Sequence, residues 1–200
     1  MANTTEMSSG DRLRARRRQR LANEVEIAAL RLFAERGVDA VTVDDIAQAA
    51  NISRRTFFRY FASKDDLLHG NPERQRDIVL EAAGAAPNDV ASGALVRRIL
   101  LALAADFDDH REMLLLRKEI AEKFPNAMRQ THSGHTSLVA AILEVVTTRA
   151  ESEFSARVHV HAGFGAMQAA VRTWFTGSTS QSLRELTAAA LDLIGLTDTG

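Results

Sequence analysis

Arg54, Arg55 and Arg59, with Thr56 among them and Lys64 close behind, concentrate cationic and hydrogen-bonding side chains in one short stretch of a 200-residue chain. Guanidinium and ammonium groups at that density donate to anions, and arginine also pairs bidentately with guanine O6 and N7. Recognition of nucleic acid is the chemistry in prospect. Lys64 adds to it: it falls in the first turn of an expected helix, where the dipole favours an acid, and a cation there points to an external anion such as phosphate.

Such side chains need a scaffold that turns them outward together. Thr42 and Asp45 fit a capping box, so a helix is expected from Val43. Val43, Ile46, Ala47 and Ala50 recur on one face of it, and Asn51 can take the left-handed conformation that ends a helix. Ile52 then turns inward and Ser53 offers the next N-cap. Phe57 and Phe61, four apart, share the anchoring face of a second short helix, while Arg54, Arg55, Phe58 and Arg59 share the other. Ser63 and Asp66 repeat the capping pattern for a further helix. Two short helices around a tight turn, with a cationic outer face, form a DNA-reading unit.

From Arg20 to Leu68 the chain resembles the DNA-binding domain of the TetR family of bacterial transcriptional regulators. The likeness rests on Ala28-Ala29-Leu30-Arg31-Leu32-Phe33-Ala34-Glu35-Arg36-Gly37, on Val41-Thr42-Val43-Asp44-Asp45-Ile46-Ala47, and on Phe57-Phe58-Arg59-Tyr60-Phe61 followed by Ser63-Lys64. The resemblance implies that Arg54, Arg55, Thr56 and Arg59 read bases in the major groove and that Thr42, Tyr60 and Lys64 contact phosphates. Two departures stand out. Arg55 replaces a glycine common in the family, which implies a guanine-containing half-site, and Phe58 replaces a common tyrosine, which removes a phenol-to-phosphate bond. The string around Arg54 is also similar to that of actinobacterial members, among them mycofactocin-associated regulators that respond to acyl-coenzyme A.

Charge divides along the chain. Through Lys64 there are 12 Lys and Arg against 8 Asp and Glu, a net +4, and the remainder carries −5, which together give the −1 of the whole. Arg12, Arg14, Arg16, Arg17, Arg18 and Arg20 crowd the stretch just before the expected first helix; Arg16, Arg17 and Arg18 are assigned to phosphate contact, with a solubilising tail as the alternative. The first 19 residues are expected to form a disordered basic arm, 20–68 the DNA-binding domain, and 69–200 a ligand-binding and dimerisation domain. No cysteine is present, so disulfides and thiolate metal sites are excluded. No apolar signal segment or membrane-length run is found, and a cytoplasmic protein is expected.

The expected fold is all-α, about nine helices, with a three-helix head followed by a helical bundle. Helix one should start at Leu13 or Arg20 and end at Gly37. Helix four should start at Lys64 and break at Asn71-Pro72, with a second piece over Glu73–Ala83. Later helices are expected over 89–109, 111–124, 126–149, 152–176 and 180–196, with Pro125 and Gly177 at two boundaries.

Body residues such as Ile99, Leu138, Val146, Val171 and Phe175 fit facing sides of a bundle. The resemblance implies a pocket for a largely apolar effector among the middle helices. Leu103, Phe107, Leu116 and Ile120, then Ile142, Phe164, Met167 and Trp174, are assigned to it, with plain core packing as the ordinary alternative. Ala162, Ala166, Ala170 and Thr173, with Leu186 and Leu193 on the last helix, present small and apolar side chains. With the family's habit they suggest a four-helix interface in a C2 homodimer, whose recognition helices would meet a near-palindromic operator with half-sites about 34–36 Å apart.

His132 and His135 could share a helical face, and His159 and His161 point to opposed sides; no ligand set is completed, and neither metal nor cofactor is expected. Asn3-Thr4-Thr5 and Asn51-Ile52-Ser53 match a glycosylation pattern by chance. The function expected is that of a sequence-specific regulator, a repressor released by an effector acting through helix four. The alternatives are an enzyme with a nucleic-acid-binding head, disfavoured by the absence of any nucleophile elbow, phosphate-cradling loop or metal spacing, and a sequence-indifferent architectural protein.

Overall fold

The computed structural model describes residues 9–69, 72–126, 132–177 and 180–198. Among them are ten helices and no strand: α1 (Ser9–Arg36), α2 (Val43–Ala49), α3 (Arg54–Tyr60), α4 (Asp66–His69), α5 (Pro72–Gly84), α6 (Ser92–Asp109), α7 (Arg111–Lys123), α8 (His132–Thr147), α9 (Glu153–Phe175) and α10 (Leu183–Leu193). They divide into two compact units, a head of Met1–Leu68 with Leu116–Met128 and a body of His69–Leu115 with Arg129–Gly200.

In the head, α1 runs through most of the stretch expected as a disordered arm. Leu, Ala, Arg and Gln are strong helix formers, and nothing between Asp11 and Arg36 breaks the helix. Residues 1–8 lie outside the described set. Val25, Ala29, Leu30 and Phe33 form the buried stripe of α1 and pack with Val38, Val41, Ile46 and Phe57 in a small core. Gly37, at φ +81°, ends the helix in a conformation that L side chains rarely adopt. A Cβ there would also stand 3.2 Å from the Phe124 ring.

The second half of α7 also belongs to the head. Its reasons are specific. Arg117 pairs with Glu26 in a mostly buried ion pair and also donates to the Leu67 carbonyl at 3.3 Å. Lys123 donates to the Ala34 carbonyl in the last turn of α1 at 3.2 Å, where the dipole favours a cation. The break expected at Asn71-Pro72 involves residues 70–71, which lie outside the described set; Pro72 stands at the first position of α5, where its missing N–H costs nothing.

The body is built on long helices around one core that includes Leu95, Ile99, Leu103, Ile142, Met167 and Trp174. Side chains distant in sequence secure both ends of α10. Asp108 accepts from the Leu183 and Arg184 amides at 2.7 and 3.0 Å, filling donors that a helix start leaves open. Arg97, buried on α6, donates to the Leu196 carbonyl at 2.9 Å and to Asp192 at 2.8 Å. The last helix stops at Leu193, short of the expected Leu196, because Gly195 at φ +76° lets the Leu196 amide bond back to the Leu191 carbonyl. α8 starts at His132, later than the expected Asn126. No described helix is long and apolar enough to cross a membrane.

Candidate nucleic-acid interface

The frame of the interface is set by caps. Thr42 Oγ1 accepts from the Asp45 amide at 3.1 Å, and the Asp45 carboxylate accepts from the Thr42 amide at 2.8 Å. The bonds from the Thr42 side chain and backbone, with Arg36 nearby, hold the Asp45 carboxyl below its ordinary pKa. Asn51 sits at φ +53°, and the Ile52 and Asn51 amides return to the Ala47 and Gln48 carbonyls. That is the pattern that closes a helix through a left-handed residue. Ser53 caps α3, its Oγ accepting from the Thr56 amide at 3.0 Å.

Phe57 is fully buried and anchors α3. Phe61 was expected on the same helical face, but α3 ends at Tyr60 and Phe61 is an extended C-cap residue at φ −134°. Its half-buried ring still meets Phe57, with centroids 5.5 Å apart. One anchor is helical and the other follows the helix.

The outer face carries the predicted readers in unequal states. Arg54 Nη1 lies 2.9 Å from Asp44 of α2, and its guanidinium stands over the exposed Phe58 ring at 5.6 Å. Arg55 is exposed. Arg59 lies over the Tyr60 ring at 5.1 Å, and Arg18 of α1 approaches the same ring at 5.7 Å. Thr56 is half-buried, and its hydroxyl is 2.9 Å from Ser53 Oγ. Arg17 is exposed on α1 beside Arg18, and the Arg16 side chain lies outside the described residues.

Lys64 corrects one inference from sequence. Its Nζ donates to the Val38 and Val41 carbonyls at 2.7 and 2.8 Å, so the ammonium closes the α1–α2 loop. It also precedes α4 and is outside its first turn. The unfavourable helix position has an internal cause, and no external anion is needed to account for it. Neither this clamp nor the Asp44–Arg54 pair was signalled by local sequence, since both partners lie well apart along the chain.

Residues assigned to an effector pocket fall in both units. Leu116 and Ile120 belong to the head, while Leu103, Ile142, Met167 and Trp174 are buried in the body core, with Phe107 and Phe164 half-buried against it. Trp174 is covered by the Arg111 guanidinium, 4.5 Å from the ring centroid. A body cleft of about 200 Å³ lies elsewhere, between α5 and α8, with Pro72, Arg76, Leu138 and Ala141 among its lining residues. The assigned interface also splits. Ala162, Thr173 and Leu193 are exposed and Ala166 and Leu186 half-exposed, but Ala170 faces the body core. Ala170 falls in register with buried Gly163, Met167 and Trp174, so it turns away from the Ala162 side. Large exposed apolar residues that sequence reasoning passed over, Phe154, Val158 and Ile194, accompany Leu193, which is 88% exposed. His159 is engaged with Ser92, Nδ1 to Oγ at 2.9 Å. His132 and His135 have side chains outside the described set.

A capped α2, a left-handed turn and an anchored α3 with an arginine face constitute a helix-turn-helix module, and the class is that of a DNA-binding transcriptional regulator. Residues 28–70 match the family described as bacterial regulatory proteins, tetR family. That match covers the head, which is a TetR-type DNA-binding domain. It is 29% identical over 187 residues to the mycofactocin biosynthesis transcriptional regulator MftR of Mycobacterium tuberculosis, covering 90% of this chain and 92% of that protein. Its fold is similar to that of the fatty acid degradation regulator FadR from Bacillus halodurans, with a TM-score of 0.62 and 16% identity over 87% of this chain and 94% of the other. The regulator FadR from Bacillus subtilis, in complex with stearoyl-CoA, matches with a TM-score of 0.55 and 17% identity, covering 88% and 98%.

Proposed function

We propose that this protein is a repressor that binds a near-palindromic operator as a C2 dimer and leaves it when a largely apolar small molecule binds its body. The observation that carries the reading is the outward arginine face of α3, held by an anchored Phe57 and a fully capped α2. In this reading Arg54, Arg55, Thr56 and Arg59 meet base edges. Thr42, Tyr60, Arg16, Arg17 and Arg18 meet phosphates. Lys64 spends two of its three hydrogens on carbonyls and keeps one for a phosphate. The head of residues 20–68, completed by 116–126, is the DNA-binding part, and the rest serves the effector and the dimer in a cytoplasmic regulator. Its relatives are transcriptional regulators, and no enzymatic step enters the proposal.

The dimer uses exposed faces of α9 and α10. Phe154, Val158 and Ala162 recur at four-residue spacing on α9, while Leu193 and Ile194 end α10. Leu196, just past α10, packs against Gly163, which brings that end of the chain to the first half of α9. Sedimentation equilibrium at micromolar concentration should give twice the chain mass; a monomer would remove the dimer.

For the effector, the stearoyl-CoA held by the Bacillus subtilis protein makes long acyl thioesters the first class to try. The cleft of about 200 Å³ is smaller than the roughly 300–1,000 Å³ of drug-sized sites, so the bound state requires the body to open. Effector and operator must weaken each other's binding by the same factor. A footprint on DNA flanking the protein's own gene tests the whole reading. Protection confined to one palindrome, relieved by an acyl-CoA that also raises the melting temperature, is the expected result. Uniform protection along the duplex would favour an architectural protein.

A further inference from the structure

The three arginines of α3 are not electrostatically equivalent, and the difference separates readers from phosphate binders. Arg54 has a carboxylate, Asp44, at 2.9 Å and an aromatic ring, Phe58, at 5.6 Å. Arg59 shares the Tyr60 ring with a second guanidinium, that of Arg18, and among the described residues neither pairs with an acid. Phosphate binding gains from each net positive charge that replaces a condensed counterion. A carboxylate beside Arg54 cancels that charge and would itself repel a phosphate. What remains is geometry, a planar donor fork aimed by two fixed neighbours. A planar fork is the feature that a base edge, unlike a phosphate, requires.

We infer that Asp44 is a positioning residue for operator specificity, holding Arg54 with Phe58 so that its guanidinium reads a guanine, while Arg18, Arg59 and Tyr60 grip the backbone. This rests on the reading of the head as a sequence-specific DNA binder. The Asp44–Arg54 pair is exposed in the free protein and contributes little to stability there. Its effect belongs to the complex, where exclusion of water strengthens the pair and a side chain already aimed loses less freedom on binding. Phe58, which departs from the family's common tyrosine, is thereby given a role: it supplies a shelf for the guanidinium. The Arg59 assignment shifts from base reader to phosphate contact.

The test is an in-vitro selection from duplexes with a randomised centre, using the full-length protein and the variants Asp44→Asn, Phe58→Leu, Arg54→Lys and Arg59→Ala. Affinities for the wild-type motif and for an unrelated duplex are then measured across a salt series. The wild type should enrich a motif with a guanine in each half-site, which Arg54→Lys should lose. Asp44→Asn should cut discrimination at that same guanine about tenfold or more, yet bind the unrelated duplex more tightly because a negative charge has gone. A merely structural role for Asp44 would not produce these opposite changes. Phe58→Leu should weaken the same preference without altering charge, which covers the case of a poorly folded Asp44 variant. Arg59→Ala should leave the motif unchanged and make the salt dependence shallower by about one phosphate contact. If Asp44→Asn and Phe58→Leu select the wild-type motif with undiminished discrimination, the positioning role is overturned while the DNA-binding reading stands. If the wild type enriches no motif, both fall.

Discussion

In the head, α2 and α3 are closed only by side chains a few residues away; in the body, α10 adds to its own Ser182–Glu185 capping box side chains that reach it from across the core. α2 and α3 have seven residues each, a length at which isolated helices do not persist in water. Thr42 with Asp45, Ser53 with Thr56, and Asn51 at its left-handed turn supply local bonds that fix their ends. α6, by contrast, begins at Ala91 with no side-chain cap, and its 18 residues are carried by a row of buried side chains. α10 receives Asp108 at its start, 75 residues from Leu183, and Arg97 at its end, 99 residues from Leu196. A surface that must present fixed donors to a rigid duplex gains from locally determined ends. A unit that must admit a ligand can depend on packing that rearranges.

The strongest way to break this comparison is at Phe57. It is the large fully buried side chain of α3, and Phe57→Ala should destabilise the head by about 3–5 kcal/mol. With so small a core, DNA binding should disappear while the body retains its own cooperative thermal transition, followed by circular dichroism. If both units lose stability in parallel, they fold as one and the contrast is void.

Glycines in α9 sharpen the body's side of it. A Cβ at Gly163 would stand 2.9 Å from both Leu100 and Val96, so Gly163→Ala should cost about 1–3 kcal/mol through overpacking. Nearby Gly165 has open space around it. Gly165→Ala should stabilise the helix by about 0.5–1 kcal/mol in a monomer. If that face carries the dimer, the added methyl should instead raise the dissociation constant seen by sedimentation. In the head, Thr42→Ala should cost about 1 kcal/mol by loss of one cap, read from the denaturation midpoint.

The same distinction explains what the sequence made legible. The capping box at Thr42, the N-cap at Ser53 and the turn at Asn51 are short-range patterns, and each was readable from residue types and spacing. The Lys64 clamp was hidden because its carbonyl partners lie 23 and 26 residues earlier, where spacing carries no information. Arg117 joins the head through Glu26, 91 residues away, a separation at which spacing carries no information. Among the small residues of α9, periodicity identified a stripe but not its rotation, and Ala170 proved to face the core. The Asp44–Arg54 pair lay within the motif itself, yet a separation of ten residues across a turn hid it.

The finest test concerns acid. Asp45 is held below its ordinary pKa first by the Thr42 hydroxyl and amide, with Arg36 adding a smaller attraction. A carboxyl whose folded value is depressed stabilises the fold above its unfolded value, near 4, and the contribution fades as pH falls through the folded value. The difference in melting temperature between the wild type and Asp45→Asn should therefore be constant from neutral pH down to about 5 and shrink toward zero in stronger acid. In the body, Asp108 also caps a helix, but through two backbone amides of a distant element, so Asp108→Asn should disturb α10 and leave the head's acid limb unchanged. An acid limb that vanished in both variants would mean that the local cap of α2 and the remote cap of α10 are not separable.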